Sequence, residues 1–451
     1  MTFAILAAGE GSRLEGEGIL TPKPLIEVAG ECLLDRLVRI FSSHGADRIV
    51  IVINSRSALV RNRVEALSLR YPCIRYVVAD TPSSMHSLWA MRALLQDETF
   101  VLTTVDTIFR EDDFARYLRE GNFAVTPFVD DEKPLWVDVD ADGRITAFRD
   151  DGPCPYVSAG IYRITPDMMQ VLADCMERGE SRMRNFQRAI LQAGIPVKAF
   201  PMERVYDIDH REDIAKAERF LSRDILFVLR DKRFCKGRND DDAIARSVGE
   251  CLQSQGYDVT FTDEDELTPS MLQSTWHSVL SMARSRKALD ILRDCLTPVI
   301  NAPEAVINVS RRRDDRATAP CWVKRNGYTQ HPLDVVFAQT EDERLRAIAE
   351  MHSRGIHDIV CQHHYKGREV KFYGILGHLF HPSDLPALQA AAESAANAAS
   401  LVVYGGDAIL LCDSPQTTSD IAVIDLNDWP SFSPCRKEAA THISHYAIHQ
   451  E

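Results

Sequence analysis

Short runs of β-branched residues alternate with amphipathic stretches through the first half of the chain. Residues 3–6 (Phe-Ala-Ile-Leu) are apolar throughout, as a strand buried on both faces would be. Leu33, Leu34, Leu37, Val38 and Phe41 then recur at helical spacing, and Gly45 is placed to end that helix. Residues 48–53, 74–78 and 100–105 read as further strands, with helices over 58–69 and 87–95 between them. Strand–helix alternation of this kind predicts an α/β fold with a mainly parallel sheet and helices on both faces.

The pattern restarts after a helix over 211–221. Residues 224–230 read as a strand, 240–255 as a helix with Asn239 as its N-cap, and 257–261 as a strand. Residues 310–318 are polar and basic and read as a loop, and 385–400 as an alanine-rich helix. A boundary near Arg223 divides the chain into domains 1–222 and 223–451, with no proline- or glycine-rich linker between them.

At 451 residues, 45% hydrophobic and 26% charged, the composition is globular and excludes a disordered chain. Sixty-six acids against 52 bases give a net charge of −14, which opposes a polyphosphate backbone, so no nucleic acid partner is expected. No apolar run reaches the ~20 residues of a membrane span. The start lacks the basic stretch of a secretory leader, and the eleven cysteines are scattered with no Cys-x-x-Cys pair. Both features predict a cytoplasmic protein with reduced thiols. A homo-oligomer is compatible with all of this.

Chemistry concentrates in Leu6-Ala-Ala-Gly-Glu-Gly-Ser-Arg13, continued by Thr21-Pro-Lys-Pro-Leu25. Here a strand ends, and Gly9 and Gly11 permit a tight turn. The backbone of Leu6, Ala7, Ala8, Gly9, Gly11 and Ser12 can then approach a triphosphate closely. Arg13 offers a fork for phosphate oxygens and Lys23 a mobile point charge. This segment resembles the nucleotidyltransferases that join a nucleoside triphosphate to a phosphomonoester and release pyrophosphate, with a Rossmann-like domain over about residues 1–222. The resemblance extends to Thr104-Val-Asp106, where the family carries a metal-binding aspartate. It includes Val157-Ser-Ala-Gly-Ile-Tyr162, similar to the family's acceptor-pocket strand. Tyr206-Asp-Ile-Asp209 resembles its closing motif. It implies Mg²⁺ held by Asp106 and Asp209, with Asp207 in reserve. The stretch Thr81-Pro-Ser-Ser-Met-His-Ser87-Leu-Trp resembles phosphocholine cytidylyltransferase-like members, which implies CTP rather than UTP, with Ser87 at the nucleotide or capping its helix. Asp138, Arg182, Arg184 and Asn185 are acceptor-pocket candidates that read equally well as surface groups.

The second half carries Pro320-Cys-Trp-Val-Lys324, then Asp358-Ile-Val-Cys-Gln362 running on to Lys371, then Tyr404-Gly-Gly-Asp407 and Ile421-Ala-Val-Ile-Asp425-Leu-Asn427. This succession resembles the ATP-grasp superfamily, an α+β fold. It implies ATP phosphates on Lys324, adenine beside Gln362, Mg²⁺ on Asp425 and Asn427, and a transferred phosphoryl group steadied by Arg368 and Lys371. Asp425 and Asn427 alternate along one strand and so share a face. The family's glycine-rich loop is reduced to Gly327, and its metal-strand glutamate is Asp425. His331 stands at the loop position and is a candidate contact to the acceptor. Cys361, His363 and His364 are neighbours on a strand, face opposite ways, and read as packing rather than a zinc site. The combined expectation is a bifunctional enzyme that phosphorylates a small alcohol with ATP and cytidylylates the resulting phosphomonoester with CTP. The alternatives are a sugar-1-phosphate nucleotidyltransferase using UTP or another nucleoside triphosphate for the first half, and a carboxylate–amine ligase or an inactive nucleotide-binding module for the second.

Overall fold

The computed structural model describes every residue except 10, 129–132, 153, 232–237, 311–316, 327–330 and 450–451, together with the side chains of 238, 239 and 310. The chain folds as two compact units, Met1–Leu221 and Ser222–Glu451.

Nine strands of the first unit form one mixed sheet. They are β1 (Thr2–Ala7), β2 (Arg48–Ile53), β3 (Ile74–Val78), β4 (Phe100–Thr104), β5 (Phe123–Thr126), β6 (Trp136–Val139), β7 (Ile145–Arg149), β8 (Tyr156–Ile164) and β9 (Ala199–Pro201). The order is β7-β6-β8-β4-β1-β2-β3, with β5 joined to β8 and β9. β1 lies parallel to β2 and β4, and all six of its residues are buried, because helices cover both faces. Phe3 and Ile5 pack with the helix Leu33–Ser43, where the rings of Phe3 and Phe41 stack 4.3 Å apart. Ala4 and Leu6 pack on the other side with Leu88, Leu102 and Leu172. Each of these Phe, Ile and Leu side chains taken fully from water contributes about 1.5–3 kcal/mol. Beyond β4 the sheet turns antiparallel, because β8 pairs that way with β4, β5 and β6. The sheet is therefore less parallel than the alternation predicts.

In the second unit β10 (Asp224–Leu229), β11 (Asp258–Asp263), β12 (Ser278–Ser281) and β13 (Val299–Ile300) form a parallel sheet in the order β11-β10-β12-β13. Two antiparallel sheets follow. β14 (Cys321–Arg325), β15 (Val335–Ala338) and β16 (Ile359–His363) run in the order β15-β14-β16. β17 (Arg368–Ile375), β18 (Leu379–His381), β19 (Val403–Leu410) and β20 (Ile421–Asp428) run in the order β18-β17-β19-β20. The first of these packs one face on the helix Glu341–Ser353 through Val323, Cys361 and Met351. The second packs on Pro386–Ala399 through Phe372, Leu388 and Leu426.

Several boundaries differ from expectation. The helix expected over 87–95 is two, Ser84–Ala90 and Arg92–Leu95, and Ser83 is the cap, its Oγ accepting from His86 N at 3.4 Å. Ser87 is therefore interior rather than capping. The helix expected at 240 begins at Arg238, so Asn239 falls inside its first turn. Ser310 closes the helix Pro303–Ser310, and most of the loop expected after it lies outside the described residues, as does Gly327.

Candidate functional site

In the first unit β1 delivers the chain to Ala8, which is buried, and the loop then opens to solvent at Gly9. Gly11 has φ +68° and starts the short helix Ser12–Gly16. A Cβ there would stand 3.2 Å from Cβ of Lys23, so the left-handed backbone and the close approach both call for glycine. That approach fixes Lys23, whose side chain is 10% exposed and whose Nζ is ion-paired with both Asp106 and Asp209, the latter at 2.6 Å. Arg13 Nη1 donates to the other oxygen of Asp209 at 2.6 Å. Burial alone would favour a neutral lysine, but the two carboxylates outweigh it and hold the ammonium well above its ordinary value. Burial likewise works against the Asp209 carboxylate, and Lys23 and Arg13 reverse the balance and hold it below the usual carboxylate range.

Residues about a hundred positions apart meet because Tyr206–Asp207 pairs antiparallel with Thr107–Ile108, and Ile208 N donates to Asp106 O at 3.1 Å. Asp213 Oδ2 then accepts from the N–H groups of Asp209 and His210 at 3.1 and 2.7 Å, starting the helix Arg211–Leu221. Glu17 joins this turn to the loop. Its Oε1 meets His210 Nδ1 at 2.6 Å, and its Oε2 accepts from Arg211 N at 2.7 Å. Those bonds draw its carboxyl below the ordinary value, that of His210 foremost.

A cavity of about 450 Å³ opens alongside, lined by Leu6, Gly160, Tyr162, Arg182, Arg184 and Asp207 among others. Gly160, at φ +69°, sits where β8 shifts register, and a Cβ there would press within 3.3 Å of Thr107 Oγ1. Gln187 is buried and donates to Ser158 Oγ at 3.1 Å, and Ser158 Oγ lies 3.0 Å from the Tyr162 hydroxyl. Burial pushes that phenol up to about 12, so it stays neutral. Ser87 Oγ is spent on Thr81 Oγ1 at 2.6 Å and Ser83 O at 3.2 Å. Of the acceptor candidates, Arg182 and Arg184 line the cavity, Arg184 while donating to Asp150 Oδ1 at 2.6 Å and Lys133 O at 3.1 Å, and Asp138 is held by Arg149 and Cys154. Asn185 is not among the lining residues.

In the second unit strand alternation and register sort the candidates. Trp322 and Lys324 on β14 share the face opposite the helix-packed Cys321 and Val323, and Trp322 stands directly across from Gln362. On the other antiparallel sheet, Lys371, Asp407 and Asp425 form a cross-strand row, with Lys371 Nζ 3.0 Å from Asp407 Oδ1. Asn427 Nδ2 donates to Asp425 Oδ2 at 3.0 Å. The Gln362 side-chain amide donates to the carbonyl of Ile424, so it links the two sheets rather than standing ready for a base. Arg368 shares its face with Val370 and Phe372, the helix-packed side, and so points away from Lys371. The expected pairing of Arg368 with Lys371 does not form. His331 is spent locally, its Nδ1 accepting from Leu333 N at 3.1 Å. Cys361 is packed under a helix, and among the described residues no three His, Cys, Asp or Glu side chains converge as a metal cage. Likewise, no helix among them is long and apolar enough to cross a membrane.

Glu17 and Gln187 carry no functional signal in the sequence. An acid directly after a short helix and a glutamine on an amphipathic helix have no distinctive local pattern.

Residues 3–193 match the model of the MobA-like NTP transferase domain, so the first unit carries a domain of nucleotidyltransferase type. The match covers less than half of the chain. A bifunctional IPC transferase and DIPP synthase of Rubrobacter xylanophilus is 29% identical over 231 residues, 48% of this chain and 50% of that protein. A glucose-1-phosphate cytidylyltransferase of Salmonella typhimurium is 27% identical over 86 residues, 19% of this chain and 34% of that protein. The chain spans about half the length of the first of these relatives. Among solved structures, the inositol-1-phosphate CTP transferase from T. maritima aligns with a TM-score of 0.42 at 19% identity, over 47% of this chain and 90% of that one.

Proposed function

We propose that the first unit transfers CMP from CTP to a small phosphomonoester or phosphonate and releases pyrophosphate. The observation that carries this reading is the convergence of a glycine-shaped loop, two cations and two carboxylates beside a polar cavity. Asp106 and Asp209 are the residues that would hold Mg²⁺. They already share one cation, and a hard ion that takes its remaining oxygens from phosphate and water suits such a pair. When bound, Mg²⁺ neutralises phosphate charge and orients in-line displacement. Lys23 and Arg13 exchange their carboxylate partners for triphosphate oxygens. The acceptor's phosphate oxygen attacks the α-phosphorus as the bond to pyrophosphate breaks. No enzyme nucleophile is required, since positioning and charge supply the rate. Arg182 and Arg184 face the acceptor, and the Gln187–Ser158–Tyr162 network orients its hydroxyl-bearing body. The cytidylyltransferase among the relatives supports CTP over UTP.

For the second unit we infer an ATP-grasp fold that phosphorylates the acceptor with ATP. Support comes from two antiparallel sheets joined at Gln362 and Ile424, one carrying Lys324 and the other Lys371, Asp425 and Asn427. The two chemistries fit together: a kinase makes the phosphomonoester that a cytidylyltransferase consumes. A matrix of four nucleoside triphosphates against a panel of phosphomonoesters, read by pyrophosphate release, tests the first reading. Release with UTP and sugar 1-phosphates alone would replace CTP by UTP. Product analysis with ATP and an alcohol panel tests the second. A new amide in place of a phosphate ester would make this unit a carboxylate–amine ligase.

A further inference from the structure

We infer that Glu17 is a positioning residue, which holds Asp209 in place against the triphosphate loop. The inference rests on the nucleotidyltransferase reading and deepens it. Asp209 lies in the three-residue link between Tyr206–Asp207 and the helix Arg211–Leu221. On its strand side the link is tied to Asp106 through Ile208 N, and on its helix side Asp213 caps it. Neither tie relates Asp209 to the loop that begins at Gly9.

Arg13 and Lys23 bond Asp209 directly, but both are cations that the triphosphate draws away, and Glu17 supplies the relation that remains. It directly follows the helix Ser12–Gly16, whose second residue is Arg13. Its carboxylate takes up His210 Nδ1 and Arg211 N, and its carbonyl accepts from Arg211 Nη2 at 2.9 Å. Three bonds therefore fasten the segment carrying Arg13 to the two residues after Asp209. The bond from Arg13 to Asp209 is made across this joint. Glu17 acts through His210 and Arg211 rather than on the acids themselves. With the joint intact, a metal–nucleotide complex meets its carboxylate and its guanidinium in one preset geometry. With the joint cut and Arg13 and Lys23 turned to the nucleotide, Asp209 keeps its own strand and helix ties but loses its register with the loop.

The test uses the full-length protein with Glu17→Ala, Glu17→Gln and His210→Ala, alone and combined. Binding of Mn²⁺ with CTP is measured by calorimetry, alongside thermal midpoints and the separate effects on kcat and on KM for CTP. Glu17→Ala is expected to weaken Mn²⁺·CTP binding about tenfold, the scale of losing a hydrogen bond to a charged group. Glu17→Gln keeps one acceptor and recovers part of the loss, and His210→Ala adds little on top of Glu17→Ala because the two share one joint. Wild-type affinity in Glu17→Ala with a lowered midpoint, or full additivity with His210→Ala, overturns the inference and leaves Glu17 structural only. If the wild type itself binds no Mn²⁺·nucleotide, the nucleotidyltransferase reading falls and the role of Glu17 with it. Normal wild-type binding with an unaffected Glu17→Ala removes the Glu17 inference alone.

Discussion

Replacing Lys23 by methionine keeps much of the side chain's bulk and removes the one ammonium that Asp106 and Asp209 share. The lysine is nearly buried, whereas the Asp209 side chain is 36% exposed and keeps Arg13. Losing one partner of a buried pair costs about 3–5 kcal/mol, and an exposed pair is worth about 0–1 kcal/mol. A half-screened site with one surviving partner falls between, so a loss of about 2 kcal/mol at pH 7 is expected. The sign of the pH dependence follows from the depressed Asp209 carboxyl. Its contribution is present above the ordinary value of 3.8 and is lost as pH falls through the lower value of the folded state. Wild type and Lys23→Met should therefore differ at pH 7 and converge in strong acid. Removing the ammonium also leaves two carboxylates facing one another, so millimolar Mg²⁺ should raise the midpoint of Lys23→Met more than that of wild type. Urea unfolding at both pH values, with and without Mg²⁺, measures each effect. A pH-independent difference, or equal stabilisation of both proteins by Mg²⁺, would refute the shared-cation account.

Gly11→Ala should lose about 1–2 kcal/mol from the left-handed backbone alone, and crowding of Lys23 should lower pyrophosphate release further; thermal melts and turnover read the two parts separately. Asp106→Ala and Asp209→Ala should each abolish pyrophosphate release while ATP binding to the second unit persists, which an equilibrium titration checks. Asp428, nearly buried between Arg230 and Arg284, is held well below the usual carboxylate range by those two guanidiniums against the cost of its burial. Asp428→Ala should cost about 3 kcal/mol in urea unfolding, because Arg230 is left buried with fewer counter-charges; a loss under ~1 kcal/mol would show that Asp241 suffices.

The strand at 48–53 was legible to the residue because Ile49 to Ile53 is a continuous β-branched run between Arg48 and Asn54, and the strand at 74–78 has the expected bounds although Arg75 and Tyr76 interrupt its β-branched residues. The helix Arg211–Leu221 was equally legible from its apolar spacing. Less legible was the antiparallel half of the sheet, since β8 pairs through contacts far apart in sequence and breaks its register at Gly160. The proximity of Asp106 and Asp209 could be suggested only by resemblance, because the two-residue ladder that joins them is too short to leave a periodic signal. Arg368 and Lys371 looked equivalent as nearby cations, but an odd spacing on a strand sends them to opposite sides. Gln362 stands at the position the resemblance gives to a base contact, yet its amide is claimed by a carbonyl that no local pattern reveals.

That carbonyl belongs to a residue with no opposite number. Ala408 stands across from Val423 and Asp407 from Asp425, so Ile424 is a supernumerary residue in β20. It shifts the phase of the strand by one. Ile421 and Val423 before it and Leu426 after it all reach the helix-covered core, which an unbroken strand would forbid. Were Ile424 paired in regular alternation instead of bulged out, the two-residue beat would carry Asp425 and Asn427 under the helix Pro386–Ala399 and turn Leu426 outward. The orientation of both oxygen donors thus depends on Ile424 standing outside the ladder, although its side chain takes no part in their chemistry.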